Sequence, residues 1–100
     1  MKTIYQTSVI DKLRKIREDN NHSQAFVART LGISPGQLGN IESYKRGHKY
    51  TLKQIYVLSN LFNVPIEVIF SSPGHELKEG ETKKIIEQII RYQDDKEEDP

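Results

Sequence analysis

The sequence predicts an all-α fold. Apolar residues recur at spacings of three and four along most of the chain, while the alternation typical of a half-buried strand is weak. Ser and Thr residues stand before these amphipathic stretches, and Gly or Pro residues stand where helices would end or begin. The chain has 100 residues, about the size of one domain.

The first predicted helix lies within residues 7–21, "TSVIDKLRKIREDNN". Its apolar side chains fall on one face, at Val9, Leu13 and Ile16. We expect Ser8 or Thr7 to cap its start and the polar residues 19–21 to end it.

A second, shorter helix is predicted in "HSQAFVARTLG". Ser23 is a good N-cap, and Gly32 stands where a left-handed residue often follows a helix. The predicted apolar face consists of Phe26, Val27 and Leu31. A helix of about two turns is not stable alone, so it needs a neighbour to pack against.

A third helix begins within "ISPGQLGNIE". Ser34 is the expected N-cap, and Pro35 occupies the first helical position, where its missing N–H is not needed. Leu38 and Ile41 form the stripe expected to be buried.

Three further helices complete the predicted architecture. Thr51 caps "LKQIYVLSNLFN", and Pro65 begins a short helix that offers Ile66, Ile69 and Phe70 to the core. The last helix places four isoleucines on one stripe, namely Ile85, Ile86, Ile89 and Ile90. We therefore divide the chain into a helical domain (residues 1–72), a linker (73–81), and a helix with an acidic tail (82–100).

The charge of the chain is unevenly distributed. Residues 1–56 contain ten Lys or Arg and four Asp or Glu, whereas residues 57–100 contain five and ten. This asymmetry favours an anionic partner for the first half, although basic residues that merely solvate helix faces would give the same count.

Sequence patterns of catalysis and metal binding are missing. The chain has no Cys, and its three His residues are widely separated, without ligand spacing. The glycines of "GISPGQLG" lack the Lys-Ser/Thr ending of a phosphate-binding loop. We predict no enzyme activity, no cofactor and no metal site. Without a signal peptide or an apolar run of membrane length, we expect a cytoplasmic protein.

Two short helices joined by a tight turn predict a helix-turn-helix. The stretch "SQAFVARTLGISPGQLGNIES" resembles the lambda-repressor/Cro type, the xenobiotic-response-element family, and residues 51–70 are similar to its fourth and fifth helices. The matching positions are Ser23-Gln24, Ala28, Gly32-Ile33-Ser34, Leu38 and Ile41-Glu42. The resemblance covers residues 8–70 and implies a five-helix lambda-repressor-like domain. Tyr44 and Lys49 replace the Gly and Pro often found in the family's next loop.

The resemblance implies a protein that binds double-stranded DNA and regulates transcription, with repression as the expected role. Its third helix would read bases in the major groove through Pro35, Gly36, Gln37 and Asn40. Gln and Asn can each pair with two atoms of adenine. The residues expected to contact the DNA backbone are Gln24, Ser34, Ser43, Tyr44, Lys45, Arg46, Lys49 and Tyr50. Glu42, an acid close to DNA, is expected to pair with Arg29 or Arg17.

Such proteins usually bind a palindromic operator as dimers. The stripe of Ile85, Ile86, Ile89 and Ile90 is the first candidate homodimer interface, and Ile66, Ile69 and Phe70 form a second. Two alternatives are that the stripe packs on its own domain, or that the chain is an antitoxin and the stripe binds a toxin protein. A degenerate helix-turn-helix used only for protein contacts is a further alternative, because Pro35 and Gly36 are poor readers.

Gly36 and Gly39 need an explanation, because glycine inside a helix costs about 1 kcal/mol relative to alanine. Gly36 would let the helix approach DNA closely. Gly39 would do the same or relieve crowding inside the domain. The acidic tail would point away from DNA or compete with its phosphates.

Overall fold

A computed structural model describes residues 2–72, 74–78 and 80–93. Within these ranges the chain forms helices and no strand, apart from an isolated bridge between Ser72 and His75. The all-α prediction is therefore confirmed. The helices are α1 (Ile4–Asp19), α2 (Gln24–Leu31), α3 (Pro35–Glu42), α4 (Leu52–Phe62), α5 (Ile66–Ile69) and α6 (Thr82–Gln93). The predicted acidic tail from Asp94 onward lies outside the described residues.

Helix α1 begins earlier than predicted, after Thr3. The Thr3 hydroxyl accepts a hydrogen bond from the Gln6 amide at 3.0 Å, and the Gln6 side chain accepts one from the Thr3 amide at 2.9 Å. This capping box satisfies two amides of the first turn. Ser8 and Thr7 lie inside the helix, so their assignment as caps was wrong.

The caps of the two following helices agree with the prediction. The Ser23 hydroxyl accepts from the Phe26 amide, and Gly32 adopts a left-handed φ of 73° after α2. Ser34 caps α3, with Pro35 at its first position. One part of the predicted α2 face differs, because Phe26 is partly exposed and stacks on the His22 ring at 4.6 Å.

The core is built around α1, whose Val9, Ile10 and Leu13 are buried. Ala28 of α2 has no exposed surface, so a larger side chain at this position would push α2 and α3 apart. The buried side chains that the other elements contribute include Val27, Leu38, Ile41, Tyr50, Ile55, Leu58, Ile69, Phe70 and Tyr92.

Helix α6 packs on this same core through its last turn. Tyr92 is 1% exposed, and its hydroxyl donates to the carbonyl of Tyr50 at 2.9 Å. Its ring meets that of Phe70 edge-on, with centroids 5.9 Å apart. The Gln6 side-chain amide donates to the Tyr92 carbonyl at 2.6 Å. The end of α6 is thus held both to α1 and to the segment that precedes α4.

The four isoleucines of α6 do not form one stripe, which corrects the prediction. Ile85 and Ile89 pack against the core on the face that carries Tyr92. Ile86 and Ile90 are 49% and 62% exposed. Residues three, four and seven apart share a helix face, so the buried tyrosine determines which isoleucines turn inward.

The second candidate dimer surface is also corrected. Ile69 and Phe70 have no exposed surface, and Ile66 packs half-buried against the core. The hydroxyl of Tyr5 donates to the carbonyl of Phe70 at 2.7 Å. These side chains are therefore committed to the interior of the domain.

Three buried tyrosines should make the protein sensitive to alkali. Burial raises the pKa of Tyr50 and Tyr92, and it raises the pKa of Tyr5 to about 12. Above about pH 10 the unfolded chain loses protons that the folded state still holds, so stability falls as the pH rises. We expect a loss of up to about 1.4 kcal/mol per pH unit for each tyrosine, measured by denaturant unfolding across this range.

Two phenylalanine variants serve to check this alkaline transition. Tyr92→Phe should flatten the pH dependence, because it removes one of the buried hydroxyls. Tyr56→Phe removes an exposed hydroxyl and is the matched control. An undiminished slope in Tyr92→Phe would show that its hydroxyl does not contribute.

Candidate nucleic-acid interface

Helices α2 and α3 pack through Ala28 and Leu38, both fully buried, and the residues between the helices form the tight turn. This contact leaves the start of α3 on the surface. Pro35, Gly36 and Gln37 are exposed, and Asn40, one turn later, is half-buried. The structure thus brings together the four residues predicted to read bases.

Gln37 also takes part in capping α3, a role that was not predicted from the sequence. Its side-chain oxygen accepts from the Ser34 amide at 2.8 Å, while its own amide donates to the Ser34 hydroxyl at 3.0 Å. This bond uses one of the two lone pairs of the side-chain oxygen and limits the directions in which the side chain can point. The free amide group of Gln37 remains able to donate, which suits an acceptor such as guanine O6 or thymine O4. The signal was present in the sequence as Ser-x-x-Gln.

Asn40 keeps its full hydrogen-bonding capacity. Within the described residues its side chain makes no hydrogen bond, so both the carbonyl oxygen and the amide group remain available. An asparagine in this state can pair with adenine N6 and N7 together. Of the two amide side chains on α3, Asn40 is therefore the better placed for bidentate reading.

Neither glycine inside α3 is required by packing within the domain. A Cβ at Gly36 would meet only the Ser34 hydroxyl, at 3.9 Å, and a Cβ at Gly39 would meet nothing within 4 Å. Neither residue has a positive φ. The idea that Gly39 relieves crowding is therefore wrong. That Gly36 and Gly39 allow close approach to DNA stays a prediction.

Gly36→Ala and Gly39→Ala should each stabilise the isolated protein, by about 0.5–1 kcal/mol, because alanine loses less backbone entropy in a helix. Denaturant unfolding measures the change. Gly32→Ala is the matched control, since its φ of 73° strains any side chain, and it should destabilise the protein. Destabilisation by Gly39→Ala would reveal an internal constraint on α3.

The last turn of α3 is held by a buried ion pair. The Arg17 guanidinium donates to both carboxylate oxygens of Glu42, at 2.9 and 3.0 Å, and the two side chains are only 10% and 3% exposed. Arg17 also donates to the His22 carbonyl at 2.8 Å. The hydrogen bond to Glu42 raises the pKa of Arg17. Of the two partners proposed for Glu42, Arg17 is confirmed and Arg29 is not.

Gln24, predicted to contact phosphate, donates instead to the Glu42 carboxylate at 2.8 Å. This bond uses one of the two side-chain N–H groups, and Gln24 is otherwise exposed. Its position at the start of α2 is as predicted. A contact with DNA would have to be made by the second N–H group or by the backbone amides of the first turn.

A lysine that the sequence analysis overlooked caps the end of α3. The Lys2 ammonium donates to the carbonyls of Ile41 and Ser43, the latter at 2.6 Å. Burial lowers the pKa of Lys2, and the negative charge of Asp11 opposes this effect. A cation at a helix C-terminus satisfies free carbonyls and complements the helix dipole. No local sequence pattern predicts this contact, because it joins residues far apart in the sequence.

The loop after α3 differs in part from the predicted set of phosphate contacts. Lys45 and Arg46 have exposed side chains and no ion pair with any described residue. Tyr44 is exposed, but its hydroxyl donates to Asp11 at 3.2 Å. The Ser43 hydroxyl accepts from the Lys45 amide at 3.2 Å. Lys45 and Arg46 are therefore the best-placed cations of this loop.

The end of the same loop turns into the domain. Tyr50 is 2% exposed, so its hydroxyl lies too deep to contact phosphate and that prediction was wrong. The Lys49 ammonium donates to the Gln93 carbonyl at 3.2 Å and lies 5.9 Å from the centre of the Tyr92 ring. The loop is thus joined to the end of α6.

A comparison with models of protein families identifies the family of this chain. A model described as "Helix-turn-helix" matches residues 13–69, more than half of the chain. The chain belongs to the lambda-repressor-like helix-turn-helix family. Comparisons with curated proteins and with solved structures give no significant match.

The matched region of the helix-turn-helix family covers the C-terminal part of α1, from Leu13 to Asp19, and all of α2 to α5. Members of the family are DNA-binding regulators. Residues 4–12 of α1 and the whole of α6 lie outside the match. The contacts of Lys2 with Ser43 and of Tyr92 with Tyr50 therefore join residues outside the match to residues within it.

Among the described residues, no group of three or more His, Cys, Asp or Glu side chains is placed to hold a metal ion. In the same part of the chain, no helix has the length and apolar character needed to cross a membrane.

Proposed function

We propose that this protein represses transcription by binding a specific sequence of double-stranded DNA with α3 in the major groove. The observation that carries the proposal is the difference between the two ends of α3. Its last turn is fixed by the Arg17–Glu42 pair and by Lys2. Its first turn is exposed and almost free of bulky side chains. The major groove admits an α-helix, and a bare outer face lets the helix backbone lie close to the base edges.

Direct reading of bases would be short and would centre on Asn40. Its free amide suits adenine, and the remaining donor of Gln37 suits guanine or thymine. Pro35 offers apolar contact to a thymine methyl group. The missing side chains at Gly36 and Gly39 would let the helix backbone lie close to the bases, which would account for glycine at these two positions.

Lys45 and Arg46 would bind phosphates beside the groove. Contacts with phosphate position a protein on DNA and carry no sequence information. They also make affinity depend on salt, because each neutralised phosphate releases bound counterions. These two roles predict different responses to substitution of Asn40 and of Lys45.

Asn40→Ala should weaken binding to the specific operator sequence by about 1–3 kcal/mol and leave binding to random-sequence DNA unchanged. Lys45→Ala should weaken both and reduce the salt slope by about one. Mobility-shift titrations at several salt concentrations measure these effects. Lys83→Ala, an exposed lysine at the other end of α6, is the control and should change neither. Equal loss on both DNAs in Asn40→Ala would exclude base reading.

A homodimer on a palindromic operator follows from this small reading surface. Ile86 and Ile90 lie one turn apart and are exposed, so they offer an apolar contact between two copies. Selection of bound DNA from a random pool should return two inverted half-sites about one helical turn apart. A single site without symmetry would contradict the dimer.

A second candidate role for Ile86 and Ile90 is binding of another protein, as in an antitoxin. The supporting observation is again the exposure of Ile86 and Ile90. Sedimentation of the pure protein separates the two roles. A dimer that Ile86→Lys and Ile90→Lys together dissociate favours self-association, whereas a monomer at high concentration favours a different partner.

A further inference from the structure

The chain leaves the described part of the domain beside its basic loop. Lys49 donates to the carbonyl of Gln93, the last residue of α6, and Tyr92 donates to the carbonyl of Tyr50. Tyr92 is buried, so this junction is anchored in the core. The residues that follow Gln93 therefore begin next to the loop proposed to bind phosphate.

The charges of the two segments are opposite. Residues 94–100, "DDKEEDP", contain five carboxylate side chains and one lysine. The loop of residues 45–49 contains Lys45, Arg46 and Lys49 and no acid. The side chains of Lys45 and Arg46 are exposed and have no ion pair with any described residue. The loop thus has cations available for a neighbouring anion.

The acidic segment is long enough to reach these cations. Seven residues span at most about 25 Å, and the four residues from Lys49 to Lys45 span at most about 14 Å. A segment tethered this closely has an effective concentration in the millimolar range. Weak ion pairs would therefore be populated at low salt.

We propose that residues 94–100 bind the loop of residues 45–49 in competition with DNA phosphate. The proposal rests on the DNA binding proposed above and adds an internal competitor to it. The acidic segment lowers affinity for all DNA sequences, while Asn40 on α3 still distinguishes among them. The chain thereby binds the large excess of non-specific DNA more weakly, because that binding depends most on phosphate contacts.

The test uses the full chain with Asp94→Asn, Asp95→Asn, Glu97→Gln and Glu98→Gln. Its affinity for a random-sequence duplex should rise about tenfold at low salt, with a steeper salt dependence, because no internal ion pairs must break. The control carries Glu18→Gln, Asp19→Asn, Glu76→Gln and Glu87→Gln, four exposed acids with the same total charge. An equal gain in the control would overturn the proposal in favour of a general charge effect.

A measurement without DNA separates this proposal from the proposed function. At low salt, the backbone amide NMR signals of residues 45–49 should differ between the native chain and the neutralised tail, and the difference should vanish at high salt. Identical signals at low salt would overturn the internal contact even if DNA binds. Absence of DNA binding in every variant, with the signals still different, would overturn the proposed function and leave the internal contact standing.

Discussion

Glu42→Gln should destabilise the protein by about 3–5 kcal/mol, the usual cost of leaving one member of a buried ion pair without its partner. The replacement keeps the shape of the side chain and removes its charge. Arg17 would then lie almost fully buried with no carboxylate to receive its two hydrogen bonds. Denaturant unfolding at neutral pH measures the loss.

The same substitution should also disturb α3, because Glu42 receives Arg17 from α1 and Gln24 from α2 at one carboxylate. These bonds set the position of the last turn of α3 relative to the two helices behind it. Amide exchange in α3 should therefore increase more than exchange in α6. If DNA binding is measured at a temperature where the variant is folded, specific affinity should fall as well.

Two controls test the origin of the loss. Glu18→Gln breaks an exposed pair with Arg14, whose atoms are 3.7 Å apart, and should cost less than about 1 kcal/mol. The double variant Arg17→Met with Glu42→Leu removes both buried charges and should be more stable than Glu42→Gln alone. A double variant that is less stable than the single one would mean that the pair itself is a net stabilising contact.

Tyr92→Ala should cost about 3–5 kcal/mol, the range found for removing a large aromatic side chain from a core. Tyr92 is the only residue of α6 within the described chain that joins Phe70, Tyr50 and Lys49 at once. Its loss would release the end of α6 from the loop that follows α3. The rest of the core, built around α1, does not depend on this contact and should stay folded.

Hydrogen exchange distinguishes local release from general unfolding. Amides of α6 should lose protection in Tyr92→Ala, whereas those of α2 and α3 should keep theirs after correction for global stability. Tyr92→Phe keeps the ring and should cost only about 1 kcal/mol for the hydroxyl. Tyr56→Ala, an exposed tyrosine, should change stability by less than about 0.5 kcal/mol. Uniform loss of protection would show that α6 unfolds together with the domain.

The helix-turn-helix was predictable because its signals are local. Ser23, Gly32 and Ser34 mark the ends of α2 and α3 through contacts with residues at most four positions away. The same kind of signal at Thr3 and Gln6 was overlooked, since the apolar spacing of α1 becomes clear only later in the chain. The capping role of Gln37 was overlooked for a similar reason, although its pattern is equally short.

Local spacing in the sequence does not determine which isoleucines of α6 are buried. Spacing alone places Ile85, Ile86, Ile89 and Ile90 on neighbouring parts of one helix surface and cannot say which part is buried. The contact of Tyr92 with Tyr50 and Phe70 sets the rotation of α6 and turns Ile86 and Ile90 outward. The predicted interface was therefore reduced from four residues to two.

The sequence by itself determined the helices, their caps and the pairing of α2 with α3, because these depend on apolar spacing and on hydrogen bonds within one turn. Only the tertiary structure decided that Glu42 pairs with Arg17, that Lys2 caps α3, and that Tyr50 is buried. Those contacts join residues 25 or more positions apart. They exist because α1 crosses behind α3 and because α6 ends against the loop, and no short pattern in the chain encodes either crossing.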